Sequence, residues 1–210
     1  MLKILQISVT AYAQNCRLIY NDETNEGCVV DPGGKAQIIA DYAKEHNICI
    51  KSILLTHGHL DHIGGVSELI KLTCANVYGP CIEDKSLIDN IKEQSSLLGL
   101  NDAESFEFES IYDGQKIKVF DDFEIEVLKT PGHTPGGVCY LCRKYNFILT
   151  GDTLFKGSIG RTDFPGGDYN ALMDSIQNKL LNLDDEITVL SGHGESSTIG
   201  FERLHNPFFN

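Results

Sequence analysis

Hydrophobic and polar residues alternate in short runs along the chain, and the period of each run predicts an element. Ile4–Val9, Arg17–Tyr20 and Cys28–Asp31 read as strands, and "DPGG" at Asp31–Gly34 as a turn. Ile38, Ile39, Tyr42 and Ala43 recur at helical spacing, so Ala36–Glu45 is predicted to be a helix. The apolar strand Lys51–Leu55 follows, then a helix over Val66–Leu72 and a polar helical region over Glu83–Leu98. The second half repeats the plan. Strands are expected at Lys116–Phe120, Phe123–Leu128, Val138–Cys142, Asn146–Thr150 and Ile187–Leu190. Helices are expected at Ala171–Leu181 and Ile199–His205. Strands interrupted by helices in both halves predict packed sheets with helices outside. No linker-like or low-complexity stretch divides the sequence, so residues 1–210 are expected to form a single domain.

Composition narrows the class. The 210 residues are 41% hydrophobic and 22% charged, ordinary for a globular protein. No apolar run approaches the roughly 20 residues of a membrane helix. The N-terminal "MLKILQISVT" is too short and polar for a secretory signal and reads as a first strand. Seven cysteines are scattered, several in apolar runs, as expected for reduced, packed thiols in the cytoplasm. Cys139-x-x-Cys142 lies in a strand-like run rather than at a helix start, which disfavours a redox or structural-zinc role. The net charge of −13 argues against a nucleic-acid partner. It leaves room for an anionic substrate if bound cations reverse the local field.

The sharpest signal is "SILLTHGHLDHIGG". An apolar run ends, and His57, His59, Asp61 and His62 follow within six residues. Unpaired ionisable groups at a buried strand end would cost several kcal/mol in desolvation. A divalent cation removes that cost, because neutral imidazoles and a carboxylate are its natural ligands. Three further strand ends each offer one ligand beside a glycine: His133 in "LKTPGHTPGG", Asp152 in "FILTGDTLF" and His193 in "ITVLSGHGE". Ligands on loops above a rigid scaffold are a common way to build a site. His46, ending a helix, and His205, near the C-terminus, are assigned no metal role.

"THGHLDH" with the later single His, Asp and His resembles the metallo-β-lactamase superfamily. Within it the chain is similar to the glyoxalase II-like hydrolases (hydroxyacylglutathione hydrolases), in their short single-domain bacterial branch. "NCRLIY", "VVDPGG", "TPGHTPGG", "GDTLFKGSIGRTDFPGGD", "SGHGESSTIG" and "ERLHNPFF" extend the likeness over nearly the whole chain. The resemblance implies an α/β fold, a four-layer αββα sandwich of two mixed sheets flanked by helices. It implies two divalent metal ions, zinc with iron or manganese as alternatives. One would be held by His57, His59 and His133 and the other by Asp61, His62 and His193. Asp152 would bridge them, and Asp61 and Asp152 would be the catalytic carboxylates. Asp31 matches an acidic residue that supports a ligand histidine, and a simple turn aspartate is an equal alternative. Arg161 matches a basic residue that contacts glutathione. The chain departs from full-length glyoxalase II in two ways. No C-terminal glutathione-binding helical domain follows His193, and Asp163 and Glu195 stand near the family's tyrosine contacts.

The implied activity is hydrolysis of a small-molecule thioester such as S-lactoylglutathione, by attack of a bridging hydroxide on the carbonyl. No membrane partner is expected. The rival reading is a mononuclear iron persulfide dioxygenase of the same superfamily, using His57, His133 and Asp152, because "GRTDF" also resembles that group. β-Lactamase, nuclease and flavodiiron activities fit less well. So does a non-enzymatic metal-stabilised binding protein, since six ligands and a bridging carboxylate suit an open site more than a closed one.

Overall fold

The computed structural model describes residues 1–98 and 103–209. Three buried apolar clusters organise the fold, because most strands are apolar on both faces. In β2 (Gln14–Asn21), Leu18 joins the first cluster and its neighbour Ile19 the second. In β8 (Val138–Cys142), Tyr140 joins the second and Leu141 the third. Successive strand side chains point to opposite faces, so each such strand separates two cores.

The remaining elements, in chain order, are as follows. β1 (Leu2–Val9) precedes β2, and β3 (Glu26–Val30) leads to α1 (Ala36–Glu45). β4 (Cys49–Leu54) is followed by the single turn α2 (Leu60–Ile63), α3 (Val66–Thr73) and β5 (Asn76–Tyr78). A 3-10 turn (Ile82–Asp84) runs into α4 (Lys85–Asp89) and α5 (Ile91–Leu98). β6 (Lys116–Phe120) and β7 (Phe123–Lys129) lead to β8 and β9 (Phe147–Gly151). The short β10 (Leu154–Phe155) and β11 (Ser158–Ile159) precede α6 (Tyr169–Ser175) and a π-helical turn (Ile176–Leu180). β12 (Thr188–Ser191), β13 (Ser197–Thr198) and α7 (Ile199–His205) end the chain.

Among the described residues the strands form two large mixed sheets and a two-stranded ribbon, β10-β11. The first sheet has order β1-β2-β3-β4-β5 and the second β13-β12-β9-β8-β7-β6. The first cluster packs α1, α3, α4 and α5 on the outer face of the first sheet, through Ile39, Leu69, Ile88 and Ile91. The second lies between the sheets, where Ile19, Val30 and Leu54 meet Ile125, Tyr140 and Leu149. The third packs α6, the π turn and α7 on the second sheet, through Leu172, Ile176, Leu180 and Ile199. These three interfaces separate the four layers of the expected αββα sandwich.

Differences from the sequence reading are local. The helix expected over Ala171–Leu181 becomes α6 and a π turn, and the Glu83–Leu98 region breaks into three pieces at Asp84 and Asn90. α2, β5, β10, β11 and β13 are too short to carry a period.

Strand direction explains why the candidate ligands share one edge. β3 and β4 run parallel, as do β9 and β12, so the C-terminal ends of each pair coincide. β7 is antiparallel to β8, which is antiparallel to β9, so β7 ends on the same side as β9. β2 is antiparallel to β3 and therefore begins there. One hydroxyl bridges the sheets just below this edge: Tyr140 donates to the Leu55 carbonyl at 2.6 Å from a fully buried position. Tyr140→Phe keeps the ring and deletes the bond. Stability should fall by about 1–2 kcal/mol, the cost of a buried carbonyl losing its donor. Urea denaturation checks this, and an unchanged midpoint would show that the bridge contributes nothing.

Candidate metal centre

The predicted ligands occupy the segments just past four strands of this edge. His57 follows β4, and His59 caps the start of α2, whose single turn sets Asp61 beside His62. His133 follows β7, Asp152 follows β9 and His193 follows β12. The fold brings all seven together. His57, His59 and His133 form one set, and Asp61, His62 and His193 another. Within each set the ligand atoms lie within 4.8 Å of one another. Asp152 lies between the sets, with Oδ2 3.6 Å from both His133 Nε2 and His193 Nε2. Its Oδ1 is 3.2 Å from His62 Nε2 but off the hydrogen-bonding direction. Gly192 makes this approach possible, since a Cβ there would sit 2.4 Å from Asp152 Oδ1.

The outward nitrogens fix the rings. His62 Nδ1 donates to Asp31 Oδ2 at 2.9 Å, and His133 Nδ1 to the Arg161 carbonyl at 2.7 Å. His193 Nδ1 donates to the Tyr12 carbonyl at 3.1 Å. The Thr56 hydroxyl gives its proton to Asp31 Oδ2 at 2.7 Å and accepts from His57 Nδ1 at 3.0 Å. Each outward partner is an acceptor, so Nδ1 carries a proton and Nε2 points inward. His59 turns Nδ1 inward instead, 2.9 Å from His133 Nε2. His62 Nε2 and His193 Nε2 face each other at 3.3 Å.

The electrostatics of this arrangement demand positive charge. Burial, then the neighbouring histidines, push His57 well below its ordinary value, and burial and His133 push His59 down to about 3. Burial also opposes charge on His62, but Asp152, Asp61 and Asp31 outweigh it and raise it. On Asp152 burial opposes charge in turn, yet His62, His133 and His193 hold the carboxyl well below the carboxylate range. Carboxylates that favour positive charge thus share the site with His57 and His59, where burial disfavours imidazolium. His57 Nε2 and Asp152 Oδ1 are buried without a hydrogen-bond partner. Orphaned inward lone pairs beside carboxylates are a donor set for divalent cations.

The other candidates fall as follows. Asp31 accepts from the Thr56 amide at 2.8 Å as well as from Thr56 Oγ1 and His62, so it supports both ligand sets. Arg161 touches the site through its carbonyl. Its exposed guanidinium forms a two-point pair with Asp163, at 2.7 and 2.6 Å, and lies 3.9 Å over the Phe164 ring. That ring packs edge-on against His59. His46 stacks on Tyr42, and His205 packs against Phe201, both away from the centre. Cys139 and Cys142 belong to clusters on opposite faces of β8, so they cannot meet.

Sequence reasoning missed the supports. Asn15 and Arg17 hold the His193 loop from β2. The Asn15 amide donates to the Gly192 carbonyl at 2.7 Å, its side chain to the Gly194 carbonyl at 2.9 Å, and Arg17 Nη2 to the Ser191 carbonyl at 2.8 Å. Burial pushes Arg17 down to about 10. A charged residue inside the apolar run "NCRLIY" was the available signal.

Comparison with known proteins agrees with this geometry. The metallo-beta-lactamase superfamily profile matches residues 9–193. The hydroxyacylglutathione hydrolase GloC of Haemophilus influenzae is 42% identical over 206 residues, covering 97% of this chain and 96% of that protein. The crystal structure of the BLEG-1 B3 metallo-beta-lactamase superposes with a TM-score of 0.91 at 36% identity, covering 99% of this chain and 100% of that one. TTHA1623 in a di-iron-bound form superposes at 0.88 with 30% identity, covering 97% and 99%. With the profile spanning every ligand loop, this chain belongs to the metallo-beta-lactamase superfamily.

Proposed function

We propose that the protein is a binuclear metal-dependent thioester hydrolase of the glyoxalase II type. The observation that carries this reading is the pair of donor sets with Asp152 between them, where His57 Nε2 and Asp152 Oδ1 are buried without a protein partner. The likeness to the Haemophilus hydrolase supports the substrate class, and a di-iron-bound relative supports two ions. His57, His59 and His133 would hold one ion, Asp61, His62 and His193 the other, and Asp152 both. Zinc is the ion we assign, with iron or manganese as substitutes at such a donor set. Bound there, the ions supply Lewis acidity that polarises a carbonyl and makes water nucleophilic near neutral pH.

The chain's own residues do the rest. Asp61 and Asp152 orient the water and accept its proton at a carboxylate oxygen. Asp31 and Thr56 hold the His62 and His57 rings so that these donors do not rotate during the reaction. A thiolate leaves unprotonated, so no strong general acid is needed. Phe164 forms an apolar wall beside His59. Arg161 offers a substrate carboxylate its Nη1, since Nε and Nη2 are held by Asp163. We assign the reaction to the cytoplasm on the free thiols of all seven cysteines. Among the described residues no helix is long and apolar enough to cross a membrane.

Purified protein should contain close to two metal ions per chain and hydrolyse S-lactoylglutathione. Activity should vanish with chelator and return with zinc. One iron per chain with oxygen consumption on glutathione persulfide would favour the dioxygenase instead. Turnover of a β-lactam alone would favour the chemistry named for BLEG-1. Asp152→Ala should lower kcat by about two orders of magnitude or more and reduce the metal content, since it removes the shared ligand. Full activity and full metal content in that variant would overturn the scheme. Arg161→Ala should raise KM for a carboxylate-bearing thioester several-fold with kcat nearly unchanged. Steady-state kinetics reads the split, and an unchanged KM would remove Arg161 from substrate binding.

A further inference from the structure

The polar stretch around Glu83 reads in sequence as an ordinary surface helix, yet Asp84 within it is fully buried. Asp84 stands at the start of α4, where an aspartate usually caps its own helix. It makes no such cap. Its side chain turns inward, and both carboxylate oxygens are taken by the loops of the metal centre. Oδ2 accepts from the Gly58 amide at 2.9 Å and the Thr134 hydroxyl at 2.8 Å, and Oδ1 accepts from the Gly136 amide at 2.6 Å. Gly58 lies between His57 and His59, and Thr134 directly follows His133. One carboxylate therefore ties together the two loops that form the three-histidine set.

Two more features point the same way. Gly136 packs so closely that a Cβ there would lie 2.6 Å from the Asp84 amide nitrogen. Gln94 of α5 grips the first loop at a second place. It accepts from the Leu60 amide at 3.0 Å and donates to the Gly58 carbonyl at 3.1 Å. Burying a carboxylate costs several kcal/mol unless donors compensate it. Burial does push the Asp84 carboxyl up, while Thr134, Gly136 and Gly58 oppose the shift. Three donors converging on one acceptor-only group explain why an acid rather than an amide occupies the position.

We propose that Asp84 is a positioning residue that sets the mutual placement of His57, His59 and His133, and so controls cation affinity at that set without touching cation or substrate. The Asp61, His62 and His193 set is built from α2 and the loop after β12, and its supports are Asp31 and Tyr12. The effect of Asp84 should therefore be confined to one set. This rests on the metal reading above.

The test titrates metal-free wild type, Asp84→Asn and Thr134→Val with Co(II), following the visible bands under chelator competition. His193→Ala serves as the reference that keeps the three-histidine set intact. Asp84→Asn has nearly the shape of the acid but turns an amide donor toward donors. Its affinity at the three-histidine set should fall by about 10–100-fold, the usual cost of losing a support behind a metal ligand. The other set should hold its affinity, and the Gly58 and Gly136 amides of the metal-free variant should exchange with deuterium faster. Thr134→Val loses one bond of the three and should show a smaller drop at the same set. Unchanged affinity in Asp84→Asn would overturn the proposal. Equal weakening of both sets, with a lower melting temperature, would reduce Asp84 to a general structural role and overturn it too. If Asp84→Asn does not fold, unchanged affinity in Thr134→Val is the overturning result. A wild type that binds no Co(II) would remove the metal reading itself, whereas normal wild-type binding with unaffected variants would remove this inference alone.

Discussion

Everything around the edge of the two sheets is arranged to hold imidazole nitrogens and carboxylates pointing at one another in a largely buried place. That is costly without a compensating cation, because ring nitrogens crowd one another at 2.9 and 3.3 Å and burial penalises both imidazolium and carboxylate. The protein maintains the arrangement by anchoring the far side of four of the five rings. Asp31, Thr56 and the carbonyls of Tyr12 and Arg161 hold the Nδ1 protons of His62, His57, His193 and His133. Anchoring costs little at each ring, since each bond replaces one with water. Together these bonds fix donor direction before any ion arrives.

The scaffold follows from that need. Only strands whose ends coincide can deliver ligands from distant parts of the sequence to one place. The parallel pairs β3-β4 and β9-β12 supply such ends in each sheet. Sheet packing then sets the halves face to face. The Tyr140 hydroxyl and the Arg17 guanidinium cross from one sheet to the other close to the ligand loops. An apolar contact could stabilise the interface, but it would not fix the height of one loop against another. Directional bonds to backbone carbonyls do so, and every one of these crossings is of that type.

The supports also divide by loop. β2 holds the His193 loop through Asn15 and Arg17, whereas the segment from the 3-10 turn to α5 holds the His57 and His133 loops through Asp84 and Gln94. The Arg161–Phe164 segment both orients His133 and walls the approach to His59. The orientation of His133 and access to the site are therefore built from the same residues, and changes that alter access will disturb the placement of the candidate donors as well.

The sequence by itself determined the long elements, since their periods are local. It named the candidate donors as well: "THGHLDH" and three strand-end residues beside glycines are the seven groups that the fold gathers at one edge. What it left undetermined shares one cause. Asp84 makes its bonds 26, 50 and 52 residues away along the chain, and Arg17 reaches 174. At such separations a polar residue in a polar helix looks like any solvated surface residue. Asp31 could be a turn aspartate until β3 and β4 pair and bring Thr56 and His62 against it. Arg161 promised an open cation, but Asp163, two residues on, holds its fork. Local pattern names the groups that carry chemistry. Which backbone amide, carbonyl or ring each of them meets is decided only when the sheets pack, because hydrogen-bond direction depends on the placement of both partners.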